Sequence, residues 1–267
     1  MFRSGRAHAE GRETWVAVSL TWNNRFMSPN TDPANASDEE LAVTEKTRLK
    51  RFPEQGSFLR QDLHSILDAG FICHLGWNAA WGPMVLPTSY GRLDDQLFLH
   101  GSVASRSLRA ARETVPMCVT VTHVDGLVLA RSVFEHAVNY RCAMVYGTPR
   151  IVTDPDEKLA GLKAISDQIA PGQWGYAREP AKEELAVTTV LVMDLEEASV
   201  KIRLGPPDDG DGPDADRAIW VGEIPLRMVR TAPVADPTMV PATPFPDHLQ
   251  PGASRVAGGV PEWPVTG

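Results

Sequence analysis

Apolar positions first recur at helical spacing at Phe58, Leu59, Leu63, Ile66 and Leu67, which predicts a helix with Ser57 as N-cap and Gly70 as its stop. The period then changes. Three short runs rich in strand formers, 70–77, 84–90 and 96–100, are separated by Gly, Pro, Asn and Asp and read as strands joined in hairpins. Ser105 opens a short helix that ends near Glu113. Two apolar runs, Met117 to Val124 and Leu127 to Val133, flank Asp125 and Gly126, a dipeptide that signals a hairpin. Tyr140 to Val152 predicts a strand bent at Gly147, after which Asp154 and Pro155 start a helix to about Ile169. Glu183 to Ala186 predicts a helical turn; 187–195 and 199–204 predict strands parted at Glu196 and Glu197, and 219–229 a last strand.

Many short strands at near-regular spacing, with a few helices between them, describe an α+β domain built on an antiparallel barrel. A dinucleotide fold needs alternating β and α units and a G-x-G-x-x-G after a strand, and neither is present. The domain is expected over 46–231. Residues 1–45 mix Arg, Gly, Asn, Ser and Pro without a period and read as a mobile arm, with Met27 as an alternative start; 232–267 read as an extended or disordered tail. The acidic run 205–216 reads as a loop with nothing to bury.

Composition narrows the function. The 267 residues carry 26 Lys and Arg against 34 Asp and Glu, a net charge of −8. No basic stripe with interleaved aromatics offsets that charge, so a nucleic-acid partner is not expected. No window approaches a membrane span and the N-terminus lacks the apolar core of a signal peptide, so neither a membrane partner nor export is expected. Cys73, Cys118 and Cys142 are far apart, build no disulfide framework or zinc knuckle, and read as inert core thiols of a cytoplasmic protein.

The most informative stretch is Leu97 to Arg109, which runs from strand through glycine and a small polar loop to a helix start. Backbone N–H groups there, with Ser102, Ser105, Arg106 and Arg109, would aim several donors at one small anion such as a monophosphate. The plainer alternative is that Ser105 is an ordinary N-cap and the arginines a solvated face.

These residues also carry a resemblance. LFLHGS-x-x-SR from Leu97 to Arg106, PMCVTVT from Pro116 to Thr122, DGLVLARS from Asp125 to Ser132, Asn139-Tyr140-Arg141 and Val145-Tyr146-Gly147 occur in the order seen in the pyridoxamine 5′-phosphate oxidase-like, FMN-binding split-barrel family. The branch that includes the nitroimidazole-resistance reductases is the most similar. The resemblance spans about Thr47 to Val229. It implies a six-stranded antiparallel split β-barrel with flanking helices, paired as a homodimer with FMN in a groove between subunits. Carried over by position, Ser105 and Arg106 hold the flavin phosphate beside His100, Gly101 and Ser102. Leu86, Pro87, Thr88 and Ser89 lie along the flavin ring edge, and Tyr140 and Arg141 fall in a strand that borders the groove.

There are departures. True pyridoxamine phosphate oxidases begin the second strand with Arg-x-Val-Leu-Leu-Lys, whereas here it reads MVLPTSY from Met84 to Tyr90 without either cation. The C-terminal Arg and His arrangement is also missing, which argues against pyridoxamine phosphate as substrate. The resemblance therefore implies an FMN-dependent oxidoreductase passing electron pairs from a reduced nicotinamide to a small acceptor of nitro-aromatic or quinone type. A non-catalytic flavin or haem carrier or sensor is the alternative, and a deazaflavin a third cofactor choice. No catalytic residue is assigned, although His100 and Tyr140 are placed to reach the groove.

His74, His100, His123 and His136 lie in or beside predicted strands, each open to a role as haem ligand, proton donor or packed side chain, with His74 and His100 the better functional candidates. Lys201 and Arg203 alternate on one strand face, where they could close over an anion or protect a solvated edge. Trp77 and Trp81 flank the turn 78–80 and could wall a flat ligand or form part of a dimer core.

Overall fold

Leu63, Ile66 and Leu67 are fully buried along one side of α1 (Arg60–Ala69), and each adds about 1.5–3 kcal/mol of burial. The computed structural model describes residues 40–210 and 212–250. In it α1 begins later than the sequence suggests. Ser57 sits in the two-residue strand β1 (Gly56–Ser57), bonded to Asp62, and the N-cap is Leu59 without a side-chain cap. At the other end Gln168 places Nε2 within 3.0 Å of the carbonyl oxygens of Leu67, Asp68 and Gly70, groups that a helix terminus leaves unpaired.

Two hairpins follow as expected: β2 (Ile72–Ala79), β3 (Gly82–Leu93) and β4 (Gln96–Ser102). The helix α2 (Arg106–Arg112) is capped by Ser105, whose side chain accepts from the Leu108 amide. Next comes β5 (Met117–Leu129), and here the expected hairpin is absent. Asp125 and Gly126 form a bulge inside one long strand, which β6 (Ala137–Gly147) follows on both sides of the register shift. The cause is an ion pair: Arg141 of β6 donates two bonds of 2.8 Å to the Asp125 carboxylate, pinning the extra residue across the ladder instead of turning the chain.

The break at Gly147 leaves β7 (Arg150–Ile151) as a separate short strand. Asp154 and Pro155 open α3 (Pro155–Ile169) as predicted. Two short helices, α4 (Gln173–Tyr176) and α5 (Lys182–Val187), lead to β8 (Thr188–Asp194) and β9 (Ala198–Arg203). The last strand is much shorter than 219–229: β10 (Gly222–Pro225) pairs with the second half of β5, while Trp220, Met228 and Val229 are exposed.

All pairings are antiparallel, in the order β1-β9-β6-β5-β2-β3-β4-β8-β7, with β10 off this path on β5. The described residues thus hold ten strands rather than six. Three of the additional ones are the short pieces β1, β7 and β10. The fold is α+β, as expected. Its core lies between α1 and the inward faces of the strands, with Leu75, Tyr90, Leu97, Val119, Val121, Val145 and Val200 almost fully buried. The helix α3 covers β3 and β4, and a Cβ at Gly91 would come within 2.3 Å of the Ala164 and Ile165 backbone, so the helix seats only because that side chain is missing.

The edges of the domain also differ from expectation. Of the arm read as 1–45, residues 1–39, Met27 included, lie outside the described residues, but Leu41 is buried in the core and Glu40 bridges Leu59. The acidic loop does bury something: Asp209 accepts bonds from the Arg131 amide and guanidinium. In the tail, 226–246 carries no strand or helix, yet His248 returns to bond Gln173 at 3.0 Å and pack on Tyr176; residues 251–267 are outside the described set.

Candidate functional site

The site arises where two strands stop pairing. Tyr90 on β3 stands opposite Leu99 on β4, and this is the last partnered pair between them. Below it, Gly82–Ser89 pairs only with β2, while His100–Ser102 pairs only with β8. Had the ladder continued, Ser89, Thr88 and Pro87 would face His100, Gly101 and Ser102. Instead the strands part, leaving two facing lips whose inner backbone N–H and C=O groups have no strand partner among the described residues. Exposed backbone groups of this kind are open to water or to a ligand that offers donors and acceptors.

Leu86, Pro87, Thr88 and Ser89 form one lip; His100, Gly101 and Ser102 form the other. The sequence-derived nominations in these two stretches are therefore brought together. The lips are mixed in polarity, since Leu86 is 40% exposed while Ser102 and His100 offer polar groups to solvent. Shielding by surrounding protein atoms pulls the His100 pKa below 6.5 although part of the ring stays in contact with solvent, so the imidazole is neutral at pH 7.

At the outer end, Arg106 lies with its guanidinium 5.8 Å from the centroid of the Trp81 ring. Trp81, 68% exposed at the tip of the β2–β3 hairpin, thus reaches across to α2. Arg106 has no carboxylate partner among the described residues, and its charge is available to an anion. Ser105 is partly committed as N-cap, accepting from Leu108 at 3.4 Å, so both sequence readings of it hold in part. Arg109 donates to the Ala104 carbonyl at 3.2 Å and stays exposed beside Arg106. Trp77 is different: it is buried and fills the core.

Tyr140 and Arg141 are not brought to the lips. They lie on β6, separated from β3 by β5 and β2. The Arg141 side chain points inward to Asp125, a partner that sequence reasoning missed because the pair spans two strands. Lys201 and Arg203 are engaged nearby: Lys201 donates to the Arg51 carbonyl and lies 5.5 Å from the Phe52 ring centroid, while Arg203 donates to Asn139. Asn139 in turn holds Gly205 and Glu223, tying the acidic loop and β10 to the barrel.

Burial raises all three thiol pKa values, Cys73 to about 12, which keeps them protonated and unreactive. Only Cys73 is a core residue; Cys118 and Cys142 are half-buried on the outer face of the sheet. The histidines divide sharply. His64 bonds Asp95, His123 bonds the Ile66 carbonyl, His136 the Ala130 carbonyl and His248 Gln173, at 2.9 to 3.3 Å. His74 and His100 have no hydrogen-bond partner among the described residues. No described group of three or more His, Cys, Asp or Glu is placed to hold a metal ion, and no described helix is long and apolar enough to cross a membrane.

Comparison with known proteins fits this geometry. The sequence profile of the family described as pyridoxamine 5′-phosphate oxidase matches residues 60–202, more than half of the chain. The chain belongs to that family. Within the pyridoxamine 5′-phosphate oxidase family, two similar solved structures cover most of it. The flavocytochrome Anf3 from Azotobacter vinelandii is 33% identical over 78% of this chain and 96% of its own, with a TM-score of 0.73. The FAD and haem binding protein from Mycobacterium smegmatis is 35% identical over 73% of this chain and 95% of its own, with a TM-score of 0.69. No curated protein matches this chain.

Proposed function

We propose that this chain is a flavin-dependent redox protein, an oxidoreductase that works as a homodimer and binds haem as well as flavin. The observation that carries this is the split between β3 and β4, whose two lips have no strand pairing across it, with Arg106 free of a carboxylate partner among the described residues at its outer end. The residues fit a flat cofactor with an anionic tail. The lips offer backbone donors and acceptors to a ring edge, Trp81 offers a face, and Arg106 and Arg109, three apart on one helix face, offer two cations. When bound, flavin supplies the hydride and electron-pair chemistry. The two lips would orient the ring, with His100, its pKa held below 6.5 by burial, beside it.

Two similarities favour a flavin with haem. The relative that is 35% identical is named as an FAD and haem binding protein, and the one that is 33% identical as a flavocytochrome. FAD is therefore preferred to FMN, and the two arginines suit a pyrophosphate better than a single phosphate. The ultraviolet–visible spectrum of freshly purified protein tests the proposal. Flavin bands plus a Soret band are expected, and chromatography of the released flavin identifies FAD. A colourless protein that gains neither band on adding FAD, FMN or haemin overturns it.

Pairing of two chains draws on apolar side chains exposed elsewhere, such as Val133 at 83% and Phe134 at 87%. Light scattering that gives a monomer mass at micromolar concentration rejects it. A carrier without a substrate of its own is the second reading, and the lips' composition favours it: His100 is their one titratable side chain. Reduction of the bound flavin by NADH or NADPH, followed by reoxidation with a nitro-aromatic or quinone, supports the oxidoreductase; no reduction supports the carrier.

A further inference from the structure

The split accounts for His100 but leaves the other unpartnered histidine without a task. His74 lies on the outer face of β2, directly opposite Pro87 on β3 and Thr120 on β5, and Thr120 in turn faces Met144 on β6. The same face carries Ile72 and Val85, both more than half exposed. Gly76, the next outward position along β2, has no side chain, and a Cβ built there would make only ordinary contacts at 3.7 Å or more. The result is an exposed shelf on which Ile72, Val85 and Pro87 lie around a single imidazole, with Ser89 and Thr120 at its margins.

That arrangement differs from every bonded histidine in the described residues. His123 faces inward with Nε2 2.9 Å from a backbone carbonyl, and His64 and His248 are tied to side chains of neighbouring elements. Ligation of haem iron needs an accessible imidazole nitrogen, and a porphyrin needs apolar surface beside it. Only the shelf around His74 provides both among the described residues, because His100 opens onto the polar lips next to Arg106.

We infer that His74 would ligate the iron of a bound haem, with Gly76, Ile72, Val85 and Pro87 supplying the surface around it. This rests on the haem half of the function proposed above. The residues that would hold haem then lie on the outer face of β2–β3, and those that would hold flavin along the β3 edge that faces β4.

Haemin titration of full-length wild type, His74→Ala, His100→Ala and His136→Ala tests the assignment, with flavin binding and the thermal midpoint followed on each. His74→Ala is expected to weaken haemin binding roughly tenfold or more and to lose the wild-type Soret position while keeping flavin affinity. Added imidazole should restore the wild-type band to His74→Ala, while His100→Ala and His136→Ala should keep the wild-type haemin affinity and Soret position, whatever the first does to flavin binding. An unchanged Soret band in His74→Ala, or its loss in His100→Ala instead, overturns the assignment while leaving the haem proposal standing. A wild type that takes up no haemin overturns both. His74→Met provides a second test, since a retained haem with a shifted band places residue 74 on the iron even if His74→Ala is less stable.

Discussion

Arg106 stacks over Trp81 and thereby joins the first turn of α2 to the tip of the β2–β3 hairpin, closing the open end of the split with a contact between a cation and a ring. The two side chains come from segments that no strand pairing holds together at that point. An exposed contact of this type is worth about 0.5–1 kcal/mol, enough to bias the hairpin tip toward α2 but not to lock it. The arginine is thus positioned before any anion arrives.

Arg106→Ala is expected to weaken flavin binding by about 1.5–3 kcal/mol, roughly ten- to a hundredfold in Kd, because a charge-assisted bond to phosphate is lost. Trp81→Ala removes only the support and should cost about 1 kcal/mol or less. Fluorescence quenching titrations measure both. Equal and negligible effects would place the phosphate elsewhere.

Gly91→Ala probes the seat of α3. The added Cβ would sit 2.3 Å from the helix backbone, which cannot move as a side-chain tip would. A loss of about 1–3 kcal/mol is expected from overpacking, read as a lower urea midpoint at unchanged slope. Since Gly91 follows Tyr90, where β3 and β4 part, flavin affinity should fall as well.

Local signals in the sequence located most elements, and their limits are instructive. Asp154-Pro155 and Ser105 marked helix starts because a cap acts within three or four residues. Asp125-Gly126 misled because the bulge is held by Arg141, sixteen residues away, and a dipeptide carries no trace of that partner. The resemblance brought both lips to attention, but the split itself follows from where pairing ends at Tyr90 and Leu99, a long-range property invisible to periodicity. The same holds for His74 and His123: both lie in apolar runs, and only the fold turns one outward and sets the other against the Ile66 carbonyl.

Asp125→Asn separates a structural from a cofactor role for Arg141. The Arg141 side chain is 9% exposed and its guanidinium loses its carboxylate partner, so stability should fall by up to about 3–5 kcal/mol. Flavin affinity of the folded fraction should stay within error, because two strands lie between β6 and the lips. A selective loss of flavin affinity without destabilisation would return Arg141 to the groove.

Stability should also decline between pH 7 and pH 5. His64, His100 and His123 all have pKa values held below 6.5 in the folded chain, chiefly by burial. The unfolded chain therefore binds more protons over this range, and stability falls as pH drops through 6.5 toward the folded values. The carboxylates with lowered pKa, such as Glu157 and Glu197, act only further down, below their ordinary 4.5, so the upper window belongs to the histidines. His123→Gln replaces the titrating ring with a neutral amide donor for the Ile66 carbonyl, and should flatten the urea midpoint against pH between 6.5 and 5. An unchanged slope in that variant would mean that His123 gains its proton equally easily in both states.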